Sequence, residues 1–273
     1  MAAYLDTNVF DHLYKKIGCT SADIANLRKK IYGRELSLPL SIYVLEEILL
    51  DRKARPELLV AKIKLTLSLG NFRRMVKPCD QLLTDDIRAY ATTGAAARPF
   101  IDTELQNIMT DGIAELVESD GEELDEEMIA ALEAARSAKE RFLDHLRDAR
   151  PPGPAAVTFE EYFTSAAPAM ARSLALSAGV GVAEACAQRG IAGLLELRSV
   201  RMSVGASLSS NYARTLEAAP QPGGDSRGLL HAIAAAAVAA TFVTDDARLR
   251  RILARVPLDD FEVLDLPAFL QKI

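Results

Sequence analysis

Residues 2–14 read Ala-Ala-Tyr-Leu-Asp-Thr-Asn-Val-Phe-Asp-His-Leu-Tyr, and this opening stretch decides the fold class. The apolar residues before Asp6 predict a short buried strand, whereas the spacing of Val9, Phe10 and Leu13 is typical of one face of a helix. The chain therefore opens with a strand, a turn and a helix, and a carboxylate stands where the strand ends.

The same order recurs along the chain. Residues 36–40 predict a second strand, and Ser41 is placed to cap the helix that follows it. Near the C-terminus a helix over about 225–239 precedes strand candidates at 241–244 and 261–264. Because short apolar strands alternate with amphipathic helices, we expect an α/β fold with a parallel, doubly wound, Rossmann-like sheet covered by helices on both faces.

The middle of the chain has a different pattern. Helical periodicity with charged faces dominates it, with a weak strand signal only at 74–77 and a breaker, Arg-Pro-Pro-Gly-Pro, at 150–154. We therefore expect a discontinuous α/β core formed by residues 1–55 and 219–273, interrupted by a large, mostly helical insertion over 56–218.

Composition limits the function classes. The chain has 273 residues, 49% of them apolar, and a net charge of -6, so any contact with nucleic acid needs a local basic patch. Cys19, Cys79 and Cys186 lie far apart, which argues against a disulfide framework and a zinc knuckle. No signal peptide or membrane span is apparent, and we expect a cytoplasmic protein.

Acidic residues cluster at predicted strand ends and helix starts. In an open α/β sheet, ligands bind beyond the carboxyl ends of the strands. Carboxylates that converge there repel one another and need a cation, and oxygen ligands select Mg²⁺ or Mn²⁺. Such an ion supports phosphodiester hydrolysis. Each Asp taken singly is as readily a helix N-cap. The candidates are Asp6, Glu46, Glu47, Asp225, Asp245 and Asp246.

Three segments resemble motifs of the PIN-domain family of metal-dependent ribonucleases. The register of the second motif favours Glu47 over Glu46 as the acid, and the last motif, Thr-x-Asp-x-x-Leu/Phe, marks Asp246 as a ligand and Thr244 as an orienting hydroxyl. The segments are Tyr4-Leu5-Asp6-Thr7-Asn8-Val9-Phe10, Ser41-Ile42-Tyr43-Val44-Leu45-Glu46-Glu47-Ile48 and Phe242-Val243-Thr244-Asp245-Asp246-Ala247-Arg248-Leu249.

A further motif departs from the family pattern. Some PIN proteins carry an Asp three residues before a His that opens an Ala-rich helix; His231 fits, but Gly228 stands at the Asp position. Asp225 lies one turn earlier and could reach the same edge. Either Asp225 substitutes as a ligand, or the site is weakened, in which case Gly228→Asp is expected to raise activity.

Other residues are candidates for supporting roles. Asn8 is placed to orient Asp6 or to cap the helix, and His231 is either a group beside the acids or a packed core histidine. Asp245 stands beside Asp246 as a further supporting acid. The basic residues nearest Asp246 are candidates for holding a phosphate backbone, namely Arg248, Arg250 and Arg251.

The resemblance implies a metal-dependent endoribonuclease that takes single-stranded RNA as substrate and is often a homodimer. A toxin–antitoxin pairing with an antitoxin-like partner is possible, although this chain is longer than such toxins. The alternative is a weakened or inactive PIN scaffold that binds nucleic acid or protein. A phosphatase is disfavoured because Asn8, and not a second Asp, follows Asp6 at i+2.

Overall fold

The computed structural model describes residues 1–50, 56–119, 126–148, 158–216 and 225–273. The predicted breaker at 150–154 lies outside these ranges, and so do residues 219–224, with which the second part of the predicted core begins. The strands are β1 (Ala3–Leu5), β2 (Pro39–Ser41), β3 (Asn71–Val76), β4 (Thr241–Val243) and β5 (Glu262–Leu264). The helices are α1 (Thr7–Lys15), α2 (Ser21–Tyr32), α3 (Ile42–Leu50), α4 (Pro56–Leu69), α5 (Cys79–Thr93), α6 (Thr103–Glu118), α7 (Glu126–Asp148), α8 (Phe159–Ser177), α9 (Val180–Arg189), α10 (Ile191–Leu194), α11 (Arg198–Leu216), α12 (Asp225–Val238), α13 (Ala247–Leu253) and α14 (Leu266–Lys272).

The strands pair in parallel. β4 lies between β1 and β5, with Tyr4 opposite Phe242, and β2 pairs separately with β3. A parallel bridge between Ala2 and Ser37 joins the two groups, so the strands follow one another in the order β3, β2, β1, β4, β5. The predicted α/β class with parallel strands is therefore correct, and the ends of β1 and β4 lie side by side.

Burial explains why such short strands are stable. Every residue of β1, β2 and β4 is buried, as expected for strands covered on both faces, whereas β5 at the edge is only partly buried. α12 packs against β1, β2 and β4 through the buried run from Ala232 to Ala236. Its small side chains let the helix backbone approach the sheet closely.

One strand lies inside the region predicted to be an insertion. β3 pairs with β2, and α4 packs against α1, α2 and α3, so residues 56–76 belong to the sheet and its covering helices. Of the β3 residues whose burial is described, Met75 and Val76 are a buried apolar pair next to the exposed Arg74. The weak strand signal at 74–77 therefore overlaps the end of β3, but so short a signal does not distinguish a strand from a helix, and the region was assigned to the helical insertion.

The insertion packs onto the sheet layer and shares its core. α7 contacts α3, α5 and α6, and α11 contacts α8, α12 and α13. Buried residues of both regions form one hydrophobic cluster. Among the described residues, none of the helices has the length and apolarity needed to cross a membrane.

The junction between α4 and β3 provides a test of this sheet. A Cβ on Gly70 would collide with the buried side chain of Leu40 in β2. We expect Gly70→Ala to lower the free energy of unfolding by about 1–3 kcal/mol, because well-packed cores tolerate added atoms poorly. Urea unfolding measures the change.

Gly181→Ala is the matched control, because its new Cβ meets no atom within 4 Å in α9. It should leave stability unchanged or raise it by up to about 1 kcal/mol, since Ala favours helix. Equal effects of the two substitutions would contradict the position of β3 beside β2.

Candidate acidic site

Asp6 is a buried carboxylate at the end of β1, and the surrounding donors hold it in one orientation. Its Oδ1 accepts a hydrogen bond from the backbone N–H of Thr7 at 2.8 Å. Its Oδ2 accepts from Asn8 Nδ2 at 2.9 Å and from Thr244 Oγ1 at 2.7 Å. Asn8 thus makes the orienting contact expected of it, and Thr244 ties β4 to the end of β1.

His231 lies between Asp6 and Glu47. Its Nε2 is 3.3 Å from Glu47 Oε2 and 3.9 Å from Asp6 Oδ1. On the other side of the ring, Nδ1 is 2.9 Å from the hydroxyl of Tyr4, which is 2.6 Å from Ser41 Oγ. The ring is therefore fixed by β1 and β2 while it faces two of the predicted acids, so His231 is both buried and part of the site.

The pKa values follow from these contacts. Burial lowers the pKa of His231, but Glu47 and Asp6 outweigh burial and raise it. Burial also opposes ionisation of Glu47, yet His231, Thr7 and Lys139 lower its pKa to about 2. For Asp6, burial is the largest effect and raises the pKa despite His231 and Thr244. The contact between Glu47 and His231 therefore lowers the pKa of Glu47 and raises that of His231, whereas for Asp6 burial outweighs the effect of its neighbours.

Lys139 joins the site from α7, and the sequence analysis missed it. The side chain is almost wholly buried, forms an ion pair with Glu46, and lies 3.6 Å from Glu47 Oε1. α7 resembles an ordinary charged helix, but Lys139 falls on the apolar face that includes Leu132, Ala135 and Phe142. A lysine at a core-facing position of an amphipathic helix was the signal that could have found it.

Asp246 lies at the start of α13, as predicted, and also caps it. Its Oδ1 accepts from the backbone N–H groups of Arg248 and Leu249, each at 2.9 Å, while its own N–H is 3.3 Å from Thr244 Oγ1. Thr244 Oγ1 therefore connects Asp6 and Asp246.

Asp245 points elsewhere. Its Oδ2 is 2.5 Å from His12 Nδ1, and its Oδ1 accepts from the N–H of Leu266 at 2.9 Å. These contacts tie α1 and α14 to the end of β4, so Asp245 supports the site by holding these elements together.

Of the three basic residues beside Asp246, Arg250 makes contacts within the fold. Arg250 donates to the carbonyl of Thr244 at 2.8 Å and lies 3.6 Å from Asp265, so it stabilises the end of β4. Arg251 is exposed on α13, and Arg248 is partly buried. The expectation that these arginines hold a phosphate backbone therefore loses its central member.

Gly228 has a packing reason. A Cβ at this position would lie 2.5 Å from Cδ2 of Leu249, a buried residue of α13. The glycine therefore lets α12 pack closely against α13, and an Asp there would require Leu249 to move. Asp225 is the first residue of α12, and its side chain lies outside the described part of the structure.

The expectation that only a metal ion can hold the acids together needs correction. Lys139 supplies a positive charge within the cluster, and His231 supplies a second one when it is protonated. Among the described residues, no three Asp, Glu, His or Cys side chains are grouped as a metal site. The donor chemistry nevertheless fits Mg²⁺ or Mn²⁺, because the ligands are carboxylate oxygens and the buried Glu47 Oε1 accepts no hydrogen bond.

Comparisons with protein-family models, with characterised proteins and with solved structures found no match to this chain.

The buried ion pairs of Lys139 give a stability prediction. Lys139→Met should lower the free energy of unfolding by about 3–5 kcal/mol, because it leaves Glu46 and Glu47 buried without their cation. Chemical denaturation measures the loss. Arg136→Met, on the exposed side of α7, is the control and should change stability by no more than about 0.5 kcal/mol. A neutral Lys139→Met would show that Lys139 does not compensate the two glutamates.

The contact of Gly228 with Leu249 replaces the simple expectation that Gly228→Asp raises activity. We expect Gly228→Ala and Gly228→Asp each to lower the free energy of unfolding by about 1–3 kcal/mol, because either substitution adds atoms to a packed contact. The melting temperature should fall accordingly. The double variant Gly228→Ala/Leu249→Ala should lose less stability than the sum of the two single variants, because the shortened Leu249 side chain removes the collision although its own truncation leaves a cavity. Additive losses in the double variant would contradict the proposed collision.

Proposed function

We propose that this protein is a Mg²⁺- or Mn²⁺-dependent endoribonuclease of PIN type that hydrolyses phosphodiester bonds at the site around Asp6. The observation that carries the proposal is the meeting of Asp6 and Glu47 on His231 Nε2, at 3.9 and 3.3 Å. Asp246 follows β4, the parallel neighbour of β1, at the edge of the sheet where ligands bind in α/β folds.

The charge balance supports a cation site. Asp6, Glu46 and Glu47 contribute three carboxylates, whereas His231 and Lys139 contribute two positive charges when His231 is protonated. The cluster therefore keeps an excess of negative charge before Asp246 is counted. Such an excess in a buried region attracts a further cation.

Asp6, Glu47 and Asp246 are the residues that would hold the metal ion, with Asp225 a further candidate at the start of α12. A bound divalent ion polarises a phosphoryl oxygen and lowers the pKa of a coordinated water. The chain's own residues prepare the ligands: Asn8 and Thr244 fix the Asp6 carboxylate, and His231 keeps Glu47 ionised.

A second candidate function is the non-catalytic scaffold, which would bind nucleic acid or protein. Two observations favour it: His231 and Lys139 already occupy positions next to Glu47, and Gly228 packs where a family acid is expected. Cleavage and metal binding separate the two candidates. A homodimer or an antitoxin-like partner is compatible with either.

The central prediction concerns the carboxylates. Asp6→Asn and Glu47→Gln should each reduce metal-dependent RNA cleavage by about 100-fold or more, because a lost ligand misplaces the attacking water. Asp111→Asn removes an exposed carboxylate on α6 and should retain wild-type activity. The assay titrates Mn²⁺ and Mg²⁺ over RNA and DNA substrates, with Mn²⁺ binding measured by calorimetry.

Folding of each variant is checked by its circular dichroism spectrum and melting temperature. Absence of both Mn²⁺ binding and cleavage in the wild type, with all substrates, would reject the nuclease and leave the scaffold. Full activity in Asp6→Asn would reject this site even if the protein is a nuclease.

A further inference from the structure

A cleft of about 300 Å³ opens beside the acidic site. Thr7, Asn8 and Glu47 line the side nearest the acids. The rest of the wall includes Lys62 and Thr66 from α4 and Arg227 from α12. The cleft thus places basic and hydroxyl groups next to carboxylates that we propose to be catalytic.

The cleft has positive charge to offer an anion. Lys62 lies 2.5 Å from Asp11, and Asp11 also forms an ion pair with Lys15. Arg227 is exposed, and the described residues provide it with no ion-pair partner. The lining thus holds two basic residues, Lys62 and Arg227, beside two carboxylates, Asp11 and Glu47, and the basic residues are the groups that could bind an anion despite the negative net charge of the chain.

Thr66 adds an independent observation. The residue is 1% exposed, and its hydroxyl has no hydrogen-bond partner among the described residues. A buried polar group without a partner costs about 1–3 kcal/mol, so such groups usually meet water or a ligand. A phosphate oxygen in the cleft would accept a hydrogen bond from this hydroxyl.

We propose that this cleft binds the phosphodiester backbone of a single-stranded nucleic acid, with Lys62 and Arg227 on the phosphate oxygens and Thr66 donating a hydrogen bond. The inference rests on the proposed function, because it places this phosphate beside the bond that is cut. The volume is at the lower end for ligand clefts, which suits a short segment of one strand. Recognition through the backbone is independent of base sequence.

Fluorescence anisotropy tests the inference with a labelled single-stranded RNA of about ten nucleotides in EDTA, where metal-dependent cleavage is absent. Lys62→Gln and Arg227→Gln should each weaken binding roughly fivefold and reduce the slope of log affinity against log salt by about 0.7. Thr66→Val should weaken binding without changing that slope, because it removes no charge. Lys64→Gln is the matched control: it lies two residues from Lys62 on the exposed side of α4 and should bind like wild type.

Single-stranded DNA and double-stranded RNA of the same length complete the design. Equal weakening by Lys64→Gln and Lys62→Gln, unchanged binding in Arg227→Gln, or no binding by wild type would overturn the inference. Duplex binding with the same dependence on Lys62 and Arg227 would overturn the single-strand assignment. Because cleavage plays no part, loss of the proposed nuclease activity with intact cleft-dependent binding rejects the proposed function alone.

Discussion

The constraint on which this structure depends is the burial of carboxylates in one small region. Asp6 and Glu46 are almost wholly buried, and Glu47 is largely so. An uncompensated charge in such a place costs several kcal/mol, so the fold must bring positive charge to it. His231 and Lys139 do this from α12 and α7, two helices widely separated in the sequence. The site therefore forms only when both chain ends and the central helices pack together.

This dependence explains why the central helices are not a simple addition to the sheet. Lys139 contacts Glu46 and Glu47 on α3, which directly follows β2, and α7 packs against α3 along the same face. The contact couples the position of α7 to the charge state of Glu47. Residues 56–76 also link the central region to the sheet and to the cleft. β3 pairs with β2, and α4 contributes Lys62 and Thr66 to the cleft lining.

Much of the sheet was predictable because its signals are local. The runs before Asp6 and before Thr244 are short, apolar and followed by helical periodicity, and both became buried parallel strands. Three contacts were not predictable from the sequence: the ion pair of Lys139 with Glu46, the hydrogen bond of Arg250 to Thr244, and the packing of Gly228 against Leu249. Each depends on a residue distant in sequence or on the direction of one side chain. The hydrophobic periodicity of the sequence gives information on neither of these.

The carboxylate that is least balanced by positive groups indicates where a cation would bind. Lys139 contacts Glu46 and Glu47, and His231 contacts Glu47 and Asp6, so Glu47 has two basic neighbours while Asp6 has one at 3.9 Å. The pKa values of the two carboxylates shift in opposite directions. The pKa of Glu47 is lowered to about 2, whereas burial raises the pKa of Asp6 because its neighbours do not outweigh the effect of burial. The basic side chains thus stabilise the buried glutamates in the folded chain. They do not fully compensate the cost of burying the charged form of Asp6. A divalent cation would therefore have its most favourable electrostatic interaction with the Asp6 carboxylate, at the end of β1 and beside Thr244. The proposed chemistry requires a cation at this position.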